Sequence, residues 1–357
     1  MTVRRPGLAG TVLVLGTLAF AFGCDSAEER PAAGDQSIEA PLDTIVTTAS
    51  DMIAHLSDMK VGGTGLLYLL DMQASQVHVI DSTGNSAGEV AQAGEGPGEL
   101  MRPTSLALTP DSLMVVDFGN QRIQSFSLEG EVSSSYEFPG CAQGVAPPVL
   151  DPASGVMIRP TIGFDDSLAI VCSVVGEEKA RIGDLVVPAE PAVNVDVMRE
   201  QIRDGEIPAM FLNATEAVGS ADGSTWLVLP GTHQVLRYEP SGEKTLAVEL
   251  DEPGFEAVEE AWREEASADG QMGVPALAFL LHAQEVEGNL WVLANTVDES
   301  FARLVSVSPA GDTRSVQVNG VQGARRFAID ESTGWVYFYV EDTAEIIRVA
   351  FEPELYE

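Results

Sequence analysis

Positive charge is scarce in this chain: 357 residues carry 19 Lys and Arg against 55 Asp and Glu, a formal net charge of −36. Only three of the cations are lysines. Phosphate neutralisation needs clustered cations, so non-specific nucleic-acid binding is excluded. Histidine is equally sparse, with four residues, His55, His78, His233 and His282, which leaves little for a histidine-built metal centre. There is no G-x-S-x-G nucleophile turn, no glycine-rich loop followed by Lys-Ser or Lys-Thr, and no D-x-D-x-D-G calcium run. Beyond the N-terminus no apolar run is long enough to span a bilayer. What the chain does have is 45% hydrophobic residues, enough for a substantial core, so disorder of the whole is excluded as well.

The N-terminal segment MTVRRPGLAGTVLVLGTLAFAFGC places Arg4 and Arg5 before an apolar stretch from Leu8 to Phe22. That is the pattern of a secretory signal, too short and too N-terminal for a membrane span. Its ending, Ala21-Phe22-Gly23-Cys24, resembles the lipobox of bacterial lipoproteins, in which the Cys is acylated after cleavage, with Ala21 standing where that pattern usually has Leu. An ordinary signal peptide cut nearby, or an uncleaved anchor, are the alternatives. Removing residues 1–23 takes away two Arg and no acids, leaving −38 on 334 residues. Anionic lipid repels such a body, so a lipid anchor at Cys24 supplies the attachment its surface cannot. Residues 24–37 lack apolar periodicity and are expected to be a flexible tether.

Internal repetition organises the rest. The segments 65–84, 111–130 and 223–242 align without a gap, each a β-rich run, a polar loop, a second β-rich run and a turn closing in Gly. Tyr68, Met114 and Trp226 share one position; Ile80, Phe126 and Tyr238 follow twelve residues on, and Gly84, Gly130 and Gly242 four after that. Three looser copies are marked by Trp291, Val307 and Gly311, by Tyr337 and Val349, and by Met157, Cys172 and Gly176. Each unit has room for four strands, placed in the second at Ser105–Leu108, Leu113–Asp117, Arg122–Leu128 and Val132–Phe138. Six such units predict an all-β, six-bladed propeller of four-stranded antiparallel blades over residues 38–357. Two longer gaps hold short helical insertions, marked by the stripes Val195, Met198, Ile202 and Phe255, Val258, Trp262. The sixth unit has no fourth strand, so one near Thr44–Thr48 is expected to close the last blade. The fixed phase of Tyr68, Trp226, Trp291 and Tyr337 marks them as core rather than as a carbohydrate platform; Trp262 packs its helix on the propeller or anchors a partner.

The stretch AGEGPGELMRPTSLALTPDSLMVVDFGNQRIQSFSLEG (93–130) resembles NHL-type six-bladed propellers, and more narrowly exported bacterial propeller lipoproteins in which a G-x-G-P-G-E run precedes a blade. Residues 274–292 and 327–342 are similar to that group's closing blades. The resemblance implies fold and export and little chemistry. It also places ligands on the face where inner strands begin.

On that face the Gly94, Gly96, Gly98 and Glu99 loop could let backbone amides approach a ligand, or could be a tight turn between blades. Arg102, Arg325 and Arg326 hold corresponding positions before inner strands, able to grip a carboxylate or sulfate or to pair with local acids. Loops between second and third strands add Asp117, Asn120, Arg122, Asp165, Asp166, Thr232, His233, Asp298 and Asp342. The frame puts His55 and His282 on inner strands and His78 in blade packing. Related propellers imply either a zinc held by several His, for which no motif is visible, or calcium held by inner-strand acids; calcium is therefore the cofactor to test. Cys141 and Cys172 form a disulfide in an oxidising compartment, or Cys172 is a small buried hydrophobe. The reading that follows is a monomeric, envelope-located propeller, lipid-anchored and without a catalytic residue, binding a small molecule or a protein at one face. The alternatives are a calcium-dependent lactonase or lyase of propeller type, and a structural envelope protein adapted to high salt.

Overall fold

The computed structural model describes residues 36–38, 42–46, 53–144, 146–151, 154–174, 177–189, 194–268, 273–297 and 300–351. The expected signal segment, Cys24 and Asp298 lie outside the described residues. Two N-terminal strands, β1 (Gln36–Ile38) and β2 (Leu42–Val46), precede the repeats. The first blade is β3 (Leu56–Val61), β4 (Leu67–Asp71), β5 (Gln76–Ile80) and β6 (Ser86–Val90). After the short pair β7 (Gln92–Ala93) and β8 (Glu99–Leu100), the second is β9 (Ser105–Leu108), β10 (Ser112–Asp117), β11 (Arg122–Ser127) and β12 (Val132–Glu137). The third is β13 (Val149–Asp151), β14 (Val156–Pro160), β15 (Ala169–Ser173) and β16 (Glu178–Ile182); the fourth, β17 (Glu216–Gly219), β18 (Thr225–Leu229), β19 (Gln234–Tyr238) and β20 (Lys244–Glu249). The fifth is β21 (Leu280–Val286), β22 (Asn289–Ala294), β23 (Phe301–Val307) and β24 (Thr313–Asn319), and the sixth begins with β25 (Ala324–Asp330), β26 (Trp335–Val340) and β27 (Glu345–Ala350).

Each blade buries its middle strands on both faces against its neighbours, which is why β4 reads LYLLD and β18 TWLVL with every residue buried. Outer strands are exposed, as in β6 and β12. The repeat markers sit in the core: Tyr68, Met157, Trp226, Trp291 and Tyr337 are at most 1% exposed. Gly84, Gly130, Gly242 and Gly311 turn the third strand into the fourth at φ of +84°, +92°, +86° and +88°, a conformation that favours glycine over any side chain.

Closure follows the expected clasp. β2 pairs antiparallel with β27, Leu42 opposite Val349 and Thr44 opposite Ile347, and gives the sixth blade its fourth strand. β1 was not anticipated: Gln36 and Ser37, at the end of the expected tether, pair in parallel with Val316 and Gln317 on the outer edge of the fifth blade.

The two insertions are helical where the stripes place them: α1 (Val195–Arg203), capped by Asn194, and α3 (Phe255–Ser267), with the single turn α2 (Ala209–Leu212) between. Met198, Ile202, Phe255, Val258 and Trp262 are buried in one cluster with Trp226 and Leu290, so both helices cover the seam of the fourth and fifth blades. Trp262 meets Phe211 edge to face, centroids 5.6 Å apart, and donates its indole N–H to Pro275 O at 2.9 Å. Cys141, in the 3₁₀ turn Gly140–Ala142, is disulfide-bonded to Cys172 on β15, with Cα atoms 6.1 Å apart.

Candidate functional site

The loop Gly94 to Glu99 is held by a buried carboxylate. Asp117, fully buried at the end of β10, accepts the Met101 N–H at 2.7 Å, the Asn120 amide at 2.8 Å and Arg122 Nε at 2.8 Å. Arg122 Nη2 then donates to the carbonyls of Gly96 and Glu99, each at 2.8 Å, and Asn120 Nδ2 to Gly94 O at 2.9 Å. The Glu99 carboxylate turns back to accept the Gly96 N–H at 2.8 Å, a bond that holds its pKa below the usual value. A Cβ at Gly94 would stand 2.1 Å from that carboxylate, and Gly98, at φ +80°, donates its N–H to Gln124 Oε1 at 2.9 Å. The structure thus brings Gly94, Gly96, Gly98, Glu99, Asp117, Asn120 and Arg122 together, with their polar groups satisfying one another as a brace between blades.

The other sequence candidates are dispersed. Arg102 is exposed, its N–H donating to Ser75 Oγ at 3.1 Å, and Arg325 is exposed beside Glu341 at 3.5 Å. His233 packs between Phe255 and Phe279, centroids 5.2 and 5.1 Å away, with Nδ1 2.6 Å from Leu250 O. Asp165 pairs with Arg159 at 3.1 Å and with Arg181 at 3.2 Å; Asp166 pairs with Arg181 at 2.9 Å. Thr232 sits in the loop after β18 and Asp342 is exposed after β26. His55 immediately precedes β3, and His78 is buried on β5. Arg326 alone among the arginine candidates lines the centre of the ring, as His282 does.

That centre is a channel of about 470 Å³, open to solvent and walled by inner strands of all six blades. Its ionisable wall groups are Asp58 and Lys60 on β3, Asp151 on β13, Glu216 on β17, His282 and Glu285 on β21 and Arg326 on β25. Three of them, Asp58, Glu216 and Arg326, tie neighbouring blades. Asp58 accepts the Leu106 N–H of β9 at 2.8 Å and pairs with Lys60 at 3.1 Å; Glu216 accepts the Ala283 N–H of β21 at 3.0 Å. The Arg326 guanidinium donates to Ser57 O at 3.3 Å and Leu281 O at 3.2 Å, and has no carboxylate within ion-pair distance among the described residues.

Seclusion from bulk water tunes these groups. Burial raises the Glu216 pKa to about 7, against the pull of Arg326 and the Ala283 N–H, so this carboxyl titrates near neutrality. Burial, together with the Lys60 and Arg326 charges, lowers His282 to about 4 in spite of Asp58 3.9 Å from its Nε2, so the imidazole is neutral at pH 7. For Asp58 burial works upward, but Lys60, His282 and the Leu106 N–H outweigh it and keep the carboxylate ionised. His282 Nδ1 and the hydroxyls of Thr104 and Ser105, all in the channel wall, have no hydrogen-bond partner among the described residues, so no Ser–His pair is assembled there. Among the described residues no three His, Cys, Asp or Glu side chains are grouped so as to hold a metal ion.

Asp58, Lys60 and Glu216 were missed by sequence reasoning because inner strands share neither the aromatic nor the glycine that aligns the repeats. One signal was present: LSDMKV sets two opposite charges at i and i+2 between apolar residues.

No curated protein sequence matches the chain. A family described as a 6-bladed beta-propeller matches residues 44–148, from β2 through the second blade. A Bacteroides fragilis protein described as a candidate exported protein superposes over 90% of this chain and 98% of its own, with a TM-score of 0.55 and 11% identity. A DUF4221 family member from Bacteroides vulgatus covers 84% of this chain and 92% of its own, with a TM-score of 0.51 and 8% identity. Virginiamycin B lyase of Staphylococcus aureus is further off, with a TM-score of 0.45, 11% identity, and 82% and 80% covered; nothing about chemistry transfers at that distance. The chain is a six-bladed β-propeller with a polar central channel, and its chemistry has to be read from its own residues.

Proposed function

We propose that the protein is an exported, lipid-anchored, monomeric propeller that binds a small polar ligand in its central channel without turning it over. The observation that carries this reading is the channel itself: about 470 Å³ walled by groups of both signs drawn from separate blades, among them an arginine without a carboxylate partner among the described residues. The Cys141–Cys172 disulfide supports a location outside the reducing cytoplasm. In this scheme residues 1–23 are removed, Cys24 is acylated, residues 24–35 lead away from the membrane, and the propeller begins with β1 at Gln36.

A second reading, proton-transfer catalysis, is favoured by one observation, the Glu216 carboxyl titrating near neutrality beside Arg326. Thermal shifts of the full chain against small carboxylates, amines and sugars test both readings. A stabilising ligand recovered chemically intact, and lost on Arg326→Met, supports binding. A ligand recovered altered favours the second reading, and no shift with any compound in the panel refutes the first.

A further inference from the structure

Two polar atoms of the channel wall are both unbonded and open to solvent, and they differ in character. Arg326 places Nε on Ser57 O and Nη1 on Leu281 O and Arg325 O, which leaves Nη2 without a partner among the described residues. Glu216 commits Oε1 to the Ala283 N–H, which leaves Oε2 likewise free. Both side chains are half-buried and both free atoms are reached from the channel, whereas His282 Nδ1 and the Thr104 and Ser105 hydroxyls are closed to solvent. Glu216 opens β17, Asp58 lies near the start of β3 and Arg326 near the start of β25, so the three share one level of the channel. Asp58 is already committed, to the Met59 and Leu106 N–H groups at 2.8 Å each and to Lys60. Of the charges acting on the Glu216 carboxyl Arg326 is the strongest, yet the two stand beyond ion-pair distance of one another. The long connections lie at this mouth, with α1 and α2 before β17 and α3 before β21, while the turns that leave the inner strands at the far end are two to five residues long.

A simple anion on Arg326 would share its level with the Asp58 and Glu216 carboxyls, and a simple cation on Glu216 would meet the Arg326 guanidinium. Either leaves one free atom unanswered. A ligand head carrying both signs on adjoining groups answers both, and it brings no net charge into a half-buried site. The α-amino acid head group has that form, its carboxylate and ammonium joined through a single carbon. A carboxylate oxygen on Arg326 Nη2 and the ammonium on Glu216 Oε2 make charge-assisted hydrogen bonds of about 2.8 Å each, and the Asp58 carboxylate adds to the pull on the ammonium. In a peptide the two charges move apart by about 3.3–3.6 Å for every residue, so a longer chain carries one of them away from this level.

We propose that the channel binds a free α-amino acid at the level where the inner strands begin, its carboxylate on Arg326 and its ammonium on Glu216. This rests on the channel being the binding site. Titration calorimetry of the full chain with L-alanine, L-serine and L-leucine, each also as its amide and as its N-acetyl derivative, and with propionate and ethylamine tests it. At least one free amino acid is expected to bind saturably, and blocking either group to weaken it at least tenfold. Arg326→Met should erase the penalty for the amide, and Glu216→Gln, which keeps an acceptor for the Ala283 N–H, the penalty for the acetyl group. The comparisons of free and blocked compounds on the wild-type protein need no variant to fold. If propionate or another simple carboxylate binds in an Arg326-dependent way while free and blocked amino acids do not differ, the head-group assignment is overturned and the channel reading stands. If a free amino acid binds with the same affinity in both variants, the site lies outside the channel and both are overturned. If none of these compounds binds, the head-group assignment is overturned, and the channel reading falls with it when the thermal-shift panel is also without effect.

Discussion

Glu216 offers a direct way to ask whether the channel is secluded as its geometry indicates. Its carboxyl is moved from 4.5 to about 7 by burial. At about 1.4 kcal/mol per tenfold change in ionisation, the ionised form in the folded protein costs about 3 kcal/mol. The window has a definite sign. Below about pH 4.5 the folded and unfolded chains both hold the proton. Between there and about pH 7 the folded state keeps a proton that the unfolded chain releases, so stability falls as pH rises, and above pH 7 the loss is complete. Glu216→Gln removes the titration while keeping Oε1 as acceptor for the Ala283 N–H, now 3.0 Å away.

The assay is the melting temperature of wild type and Glu216→Gln from pH 4.5 to 8. Other titrating groups contribute to both proteins, so only the difference is diagnostic. With an unfolding entropy of about 2 cal/mol/K per residue, about 3 kcal/mol becomes a gain of about 4–5 °C for the variant, built up between pH 4.5 and 7. A difference that stays flat across that range would refute the seclusion of Glu216, and with it the picture of the channel as a low-dielectric site.

Three further outcomes follow from the packing. Cys141→Ser with Cys172→Ser opens a bridge of sequence separation 31 and should lower unfolding free energy by about 3–4 kcal/mol in denaturant titrations, with no change when the wild type is compared under full reduction. Asp117→Ala strips Arg122, Asn120 and the Met101 N–H of their shared acceptor; breaking so buried a charge network should cost about 3–5 kcal/mol, and a cost under about 1 kcal/mol would show the brace between blades to be incidental. Deleting residues 39–50 removes β2 and exposes the edge of β27, so it should lower the melting temperature far more than deleting residues 25–35; equal melting of the two would refute closure by β2.

How far the sequence could be read depended on whether neighbours in the chain or neighbours in space define a feature. The second and third strands of each blade form a hairpin of about twenty residues, so Tyr68, Ile80 and Gly84 recur in step and were legible. The helices were legible for the same local reason, since Met198 with Ile202 and Val258 with Trp262 lie on single faces. The G-x-G-P-G-E loop was legible as a cluster. Which partners it would take was not, because the bonds from Arg122 to Gly96 and from Asn120 to Gly94 each span 26 residues. The channel was the least legible part: Ser57 and Arg326 are 269 residues apart and meet only because the ring closes. Ring closure therefore builds the site as well as the fold. The strand that completes the sixth blade fixes β25 against β3, and with it Arg326 beside Ser57, so an open ring would lose the contact of Arg326 with Ser57 before it lost any single blade. Truncation of β2 should abolish channel binding even in conditions where most of the β-structure survives, and a truncated chain that still binds with wild-type affinity would place the site elsewhere.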